Sequence, residues 1–119
     1  MKKTQLGEFE ELVLLTVAYL QDDAYGVEIK RELEARLKQN LSVGSIQSAL
    51  KRMEQKGFLK SVFGEPTEKR GGKRKRIYTA TPYAHKVLAD LKEIRAGLWS
   101  AIPTNPIGIR SFAHELKVL

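Results

Sequence analysis

The chain has 119 residues, 42% apolar and 29% charged, the composition of one ordinary globular domain, and its lack of cysteine excludes disulfides and thiolate metal sites. The +7 formal charge is concentrated: Ser42 to Lys86 holds eleven Lys and Arg against Glu54, Glu65 and Glu68, so that stretch carries +8 and the remainder −1. Charge focused in this way attracts a polyanion. No apolar run approaches the ~20 residues that span a bilayer, and no apolar stretch of signal-peptide length precedes the first acids. The expectation is a cytoplasmic protein with no membrane partner.

Leu6 to Leu20 reads as a first helix, with Phe9, Leu12, Val13, Leu15, Val17 and Leu20 apolar and Glu8, Glu10 and Glu11 near its start. Acids there suit the positive end of the helix dipole. The block Leu12-Val13-Leu14-Leu15 is apolar on more than one face. One side must meet the core, and the other, with Leu12, is expected to meet a second subunit. Gln21-Asp22-Asp23 is a polar turn. A second helix opens at Tyr25-Gly26 and runs to about Leu37, its apolar positions Ile29, Leu33 and Leu37 spaced by four.

The third helix is predicted from an N-cap at Ser42 to Lys56, with Gly57 as its stop and Leu41 placed to staple against Ile46. Ile46, Leu50 and Met53 share one narrow stripe. The opposite side carries Gly44, Ser48, Lys51 and Gln55, flanked by Gln47 and Arg52, and its centre holds no acid. Such a face suits a major groove, and Ser45, Gln47, Ser48, Lys51 and Arg52 are its candidate DNA contacts.

Phe58–Phe63 and Ile77–Thr81 read as two strands joined by a long loop. Its residues 69 to 76 are KRGGKRKR, which makes Lys69, Arg70, Lys73, Arg74, Lys75 and Arg76 candidate phosphate contacts. A basic hairpin straight after an amphipathic helix is the layout of a winged helix-turn-helix. If each wing of a dimer neutralises about three phosphates and each third helix about two, affinity falls as roughly the ninth power of salt concentration. Such contacts position a protein on DNA without reading sequence.

Pro82 can start a fourth helix. Val87, Leu91, Ile94 and Leu98 follow a 4-3-4 spacing that Ile102 continues, a seam suited to pairing with another helix. Trp99 flanks it. Its simplest role is packing in a dimer interface; the sharper reading is a small planar apolar effector stacked against it. Pro103, Pro106 and Gly108 end the helix, and 111–119 is expected to close the chain with a short helix placing Phe112, Leu116 and Leu119 on one face. The expected fold is mainly α with a small β-hairpin: a winged helix-turn-helix at 1–81 with its wing at about 58–81, a dimerisation helix at 82–102 and a tail at 103–119.

His85 and His114 stand far apart without companions at metal-ligand spacing, so neither a metal nor a cofactor is expected. No nucleophile-base-orienter set appears, and Gly71-Gly72 lies within a hairpin rather than between a strand and a helix. Catalysis is not expected.

The strings LGEFEELVLLTVAYL, AYGVEIKREL, LSVGSIQSALKRMEQKGFLKS, the basic wing and IYTAT resemble, in this order, the PadR family of bacterial transcriptional regulators. The likeness runs from about Leu6 to Ile102. It implies a dimeric winged-helix repressor that pairs through its C-terminal helix, often with a small-molecule or stress signal that releases DNA. Family members commonly carry tyrosine, then often proline, where this chain has Gln47 and Ser48, so the tyrosine's DNA contact does not carry over. Gln47 could instead read adenine or bond a phosphate. A frequent glycine after the second wing strand is Ala84 here.

The expected function is a homodimeric, sequence-specific DNA-binding regulator acting on an inverted-repeat operator in double-stranded DNA. The alternatives are a non-specific nucleic-acid binder, RNA included, and a winged-helix module that docks an acidic protein. All three differ in what the third helix and the wing do together, and the first requires them to form one surface.

Overall fold

The computed structural model describes residues 6–64 and 75–103. Lys69, Arg70, Lys73 and Arg74 of the wing tip, and the closing helix expected at 111–119, lie outside the described residues.

Helix α1 spans Glu8–Leu20. It starts two residues later than its apolar pattern suggests because Gly7 is the extended N-cap, its amide donating to Glu10 Oε1 at 3.1 Å. That is one half of a capping box. A 3₁₀ turn at Gln21–Asp23 follows, then α2 at Gly26–Leu37. Lys38, in the left-handed region at φ 56°, ends α2. The Glu34 carboxylate holds the next turn by accepting from the Leu41 amide at 2.8 Å and Lys30 Nζ at 3.0 Å.

Both ends of α3, Val43–Gln55, are set by local chemistry. Ser42 Oγ accepts from the Ser45 amide at 3.0 Å, an N-cap bond. At the other end Gly57 takes φ 86°, its amide donates to the Glu54 carbonyl at 3.2 Å, and the Phe58 amide donates to the Met53 carbonyl at 2.9 Å. This pair of bonds is a Schellman motif, and Phe58 and Met53, both fully buried, supply its usual apolar contact. Phe58 is therefore the anchor of the helix end rather than the first residue of a strand.

Strand β1, Leu59–Phe63, pairs antiparallel with β2, Arg76–Ala80, placing Leu59 opposite Ala80 and Phe63 opposite Arg76. The turn before α2 joins the sheet edge through a bridge between Tyr25 and Ile77 and a 3.0 Å bond from the Tyr78 amide to the Ala24 carbonyl. Thr81 then ties the wing to both neighbours. Its Oγ1 donates to the Gly57 carbonyl at 2.8 Å and accepts from the Ala84 amide at 3.1 Å, capping α4 at Pro82–Ala101.

The core joins Val13, Leu14 and Val17 of α1, Ile29 and Leu33 of α2, Ile46, Ala49, Leu50 and Met53 of α3, and Phe58, Leu59, Tyr78 and Ala80 of the wing. Burial of each large apolar side chain contributes about 1.5–3 kcal/mol. Leu12 packs partly against this core, which leaves Leu15 and Tyr19 as the exposed apolar residues of α1. Ala84 also belongs to it, and Val87 and Leu88, partly buried, pack against it. The described residues divide into two compact units, with the boundary inside α4 between Leu88 and Ala89. Within the second unit, Ile94, Leu98, Trp99 and Ile102 are all at least half exposed.

Candidate nucleic-acid interface

The outer side of α3 and the base of the wing form one surface. Two adjoining clefts run along it. The first is lined by residues of the α2 start (Tyr25, Gly26, Val27, Glu28, Arg31) together with Gln47, Lys75, Arg76 and Tyr78. The second is lined by Gln47, Ser48, Lys51, Glu54, Arg76 and Tyr78. Gln47, Arg76 and Tyr78 are shared, so the helix face and the hairpin meet at these three side chains.

The wing base is held in place by side-chain chemistry. Arg76 donates to Ser61 Oγ at 2.9 Å and stacks its guanidinium over the Phe63 ring at 4.5 Å. Ser61 in turn donates to Glu54 Oε2 at 2.7 Å, which links strand β1 to helix α3. Lys75 Nζ lies 3.9 Å from the centre of the Tyr25 ring. Cation–π contacts of this kind keep a charge at the surface while fixing its stem. The acid Glu28 on this surface is paired with Arg31 at 2.8 Å, which limits its repulsion of an incoming phosphate.

Gln47 sits against bare backbone. A Cβ at Gly26 would lie 3.2 Å from Gln47 Nε2, so the missing side chain is what lets the amide rest there. Tyr78 is buried beneath the same surface, and burial pushes its phenol above the ordinary value despite the opposing charge of Arg76.

Five expected contacts thus come together: Gln47, Ser48, Lys51, Lys75 and Arg76. Two others stand apart. Ser45 belongs to the first turn of α3, where its Oγ donates to the Ser42 carbonyl at 3.0 Å. Arg52 is turned toward α1, its Nε donating to Glu10 Oε2 at 2.7 Å. Lys56 reaches the same carboxylate, 3.0 Å from Oε1. Glu10 is only 6% exposed. Burial raises its pKa, but the bonds from Arg52, the Gly7 amide and Lys56, with the charge of Lys56, outweigh that and hold it at about 2.

Sequence reasoning missed Tyr25, Gly26 and Arg31 as members of this surface. The start of α2 meets the wing through long-range pairings, the Tyr25–Ile77 bridge and the Lys75–Tyr25 contact among them, that no local pattern announces. Among the described residues no cluster of acids and histidines could hold a metal ion, and no helix is long and apolar enough to cross a membrane.

Comparison with known proteins bears on this geometry. The model of the "Transcriptional regulator PadR-like family" matches residues 14–90. Among solved structures, a PadR-like transcription factor from Bacteroides fragilis is 18% identical, with 79% of this chain and 85% of that one covered at a TM-score of 0.66. A PadR-like transcriptional regulator from Bacillus cereus is 20% identical over 79% and 86% of the two chains, TM-score 0.64. A PadR family transcription regulator from Clostridium difficile is 27% identical over 77% and 93%, TM-score 0.58. Comparison with curated proteins gives no match. The matched span covers α2, α3 and the wing, the elements that build the surface described above, and the chain belongs to the PadR-like family of transcriptional regulators.

Proposed function

We propose that this DNA-binding transcription regulator is a homodimeric, sequence-specific repressor. The observation that carries the reading is the convergence of Gln47, Ser48 and Lys51 of α3 with Lys75 and Arg76 of the wing on one surface. Helix α3 enters the major groove, where Gln47 and Lys51 meet base edges, and the wing lies on the flanking backbone. Lys69, Arg70, Lys73 and Arg74 extend the phosphate contacts from the wing tip.

The dimer forms through the apolar stripe of α4, made by Leu91, Ile94, Leu98 and Ile102. Exposure of Ile94, Leu98, Trp99 and Ile102 supports this reading, since adjacent apolar residues on one helix otherwise stay in water. An effector that stacks on Trp99 would act by biasing the angle between the two reading heads, and a few kcal/mol of bias shifts occupancy substantially.

Selection of bound fragments from genomic DNA tests the proposal. The expected result is an inverted repeat with half-sites about one helical turn apart. It should bind about 10³-fold or more tighter than random duplex at physiological salt. Equal affinity for random duplexes would overturn it in favour of a non-specific binder. Tight capture of an acidic protein with no DNA retained would instead favour the docking module.

A further inference from the structure

Arg52 lies on the DNA-reading helix, yet its guanidinium is committed to a carboxylate on another element. Glu10 is buried at the start of α1 and accepts from Arg52 through one oxygen and from Lys56 and the Gly7 amide through the other. Arg52 and Lys56 are four residues apart, so they stand one turn from each other on a single edge of α3. That edge lies between the buried stripe of Ile46, Ala49, Leu50 and Met53 and the outer face of Gln47, Ser48 and Lys51. Apolar contacts alone resist separation of two helices better than they resist rotation, because they are non-directional. Two charge-assisted bonds to one fixed carboxylate do resist rotation, since their strength depends on geometry.

We infer that Glu10, Arg52 and Lys56 form a strut that sets the roll of α3 about its own axis, making Arg52 a positioning residue for sequence reading and not a DNA contact. The inference rests on the assignment of α3 as the reading helix. A roll of roughly 20° on a helix of about 5–6 Å radius moves side-chain tips by about 2 Å, enough to break hydrogen bonds to base edges. Phosphate contacts made by long, mobile cations tolerate such a shift far better. The strut therefore bears on specificity more than on general DNA affinity.

The test compares full-length wild type, Arg52→Gln, Arg52→Lys, Glu10→Gln and the Glu10→Gln/Arg52→Gln double variant. Each binds a selected operator fragment and a random duplex across a salt series, and thermal unfolding verifies that each is folded at the assay temperature. The expectation is that Arg52→Gln weakens operator binding about tenfold, within the range for one misplaced base contact, and changes random-duplex binding and the salt slope little. Adding Glu10→Gln to it should cost little more, because both changes break one link. Arg52→Lys, which can still reach Glu10, should recover most of the loss; Glu10→Gln, which removes no cation from α3, carries the readout if Arg52→Gln is too unstable.

The strut is overturned if Arg52→Gln weakens operator and random duplex alike and flattens the salt slope by about 0.9, the mark of one phosphate no longer neutralised. It is equally overturned if the Glu10 and Arg52 effects simply add. A wild type that binds random duplex as tightly as the selected fragment refutes the sequence-reading assignment itself, and this appears before any variant is made.

Discussion

Replacing Glu10 by glutamine should reduce the acid sensitivity of the fold. The carboxyl titrates at about 2 in the folded protein against an ordinary value of 4.5. A difference of that size contributes about 3 kcal/mol at neutral pH. The sign follows from the depression: the contribution is fully present above the unfolded value and is lost as pH falls from about 4.5 toward 2. Since Glu10 is only 6% exposed, solvent screening of its carboxylate is limited. Urea unfolding followed by far-UV circular dichroism at about pH 7 and about pH 2.5 measures it, at one fixed protein concentration because the proposed dimerisation would also stabilise. Other carboxyls titrate in both proteins and cancel in the comparison. Wild type should lose about 2–3 kcal/mol more than Glu10→Gln between the two conditions. Parallel losses in the two proteins would show that the Arg52 and Lys56 bonds to Glu10 do not hold in solution.

Gly57→Ala should destabilise the fold by about 1–2 kcal/mol, the cost of a left-handed conformation for an L side chain. No atom lies within 4 Å of the added Cβ, so the loss measured by urea unfolding is conformational and not steric. Arg76→Ala should weaken binding to every duplex and lower the salt slope by about 0.9 for each phosphate that Arg76 neutralises, as read by titration at several salt concentrations. Gln47→Ala should instead change the preferred base by ~1–3 kcal/mol at one position of each half-site, as read by selection from a randomised operator; sequence-blind losses from both variants would refute the division of labour. Leu98→Asp should turn the proposed dimer into monomers in sedimentation experiments while leaving the circular dichroism of the winged helix intact, because Leu98 lies in the second compact unit and is 66% exposed.

The elements were legible because their signals are short-range. Ser42 as the N-cap of α3 and Gly57 as its stop could be read directly, because the bonds that enforce them are all local in sequence. The apolar stripe of Ile46, Leu50 and Met53 likewise assigned one face of α3 to the core. Boundaries shifted where a residue had a second role: Phe58 has the composition of a strand residue but anchors the Schellman turn, and Leu6 is apolar but precedes the capping glycine. Leu12 could not be divided between core and partner from sequence, since a helix apolar on two sides does not say which side faces inward.

From its residues alone this chain could be recognised as a winged helix-turn-helix with its cations gathered in one segment, because periodicity, capping and turn chemistry act over a few positions. Only the tertiary arrangement separated the cations by role. Arg52 and Lys51 are neighbours in the chain, yet one turns to Glu10, 42 positions away, while the other lines the cleft shared with Arg76. Helix geometry places successive side chains about 100° apart, so adjacent identical charges face different surroundings. Which of them meets a carboxylate is settled by the packing of α1 against α3, and no local pattern contains that information.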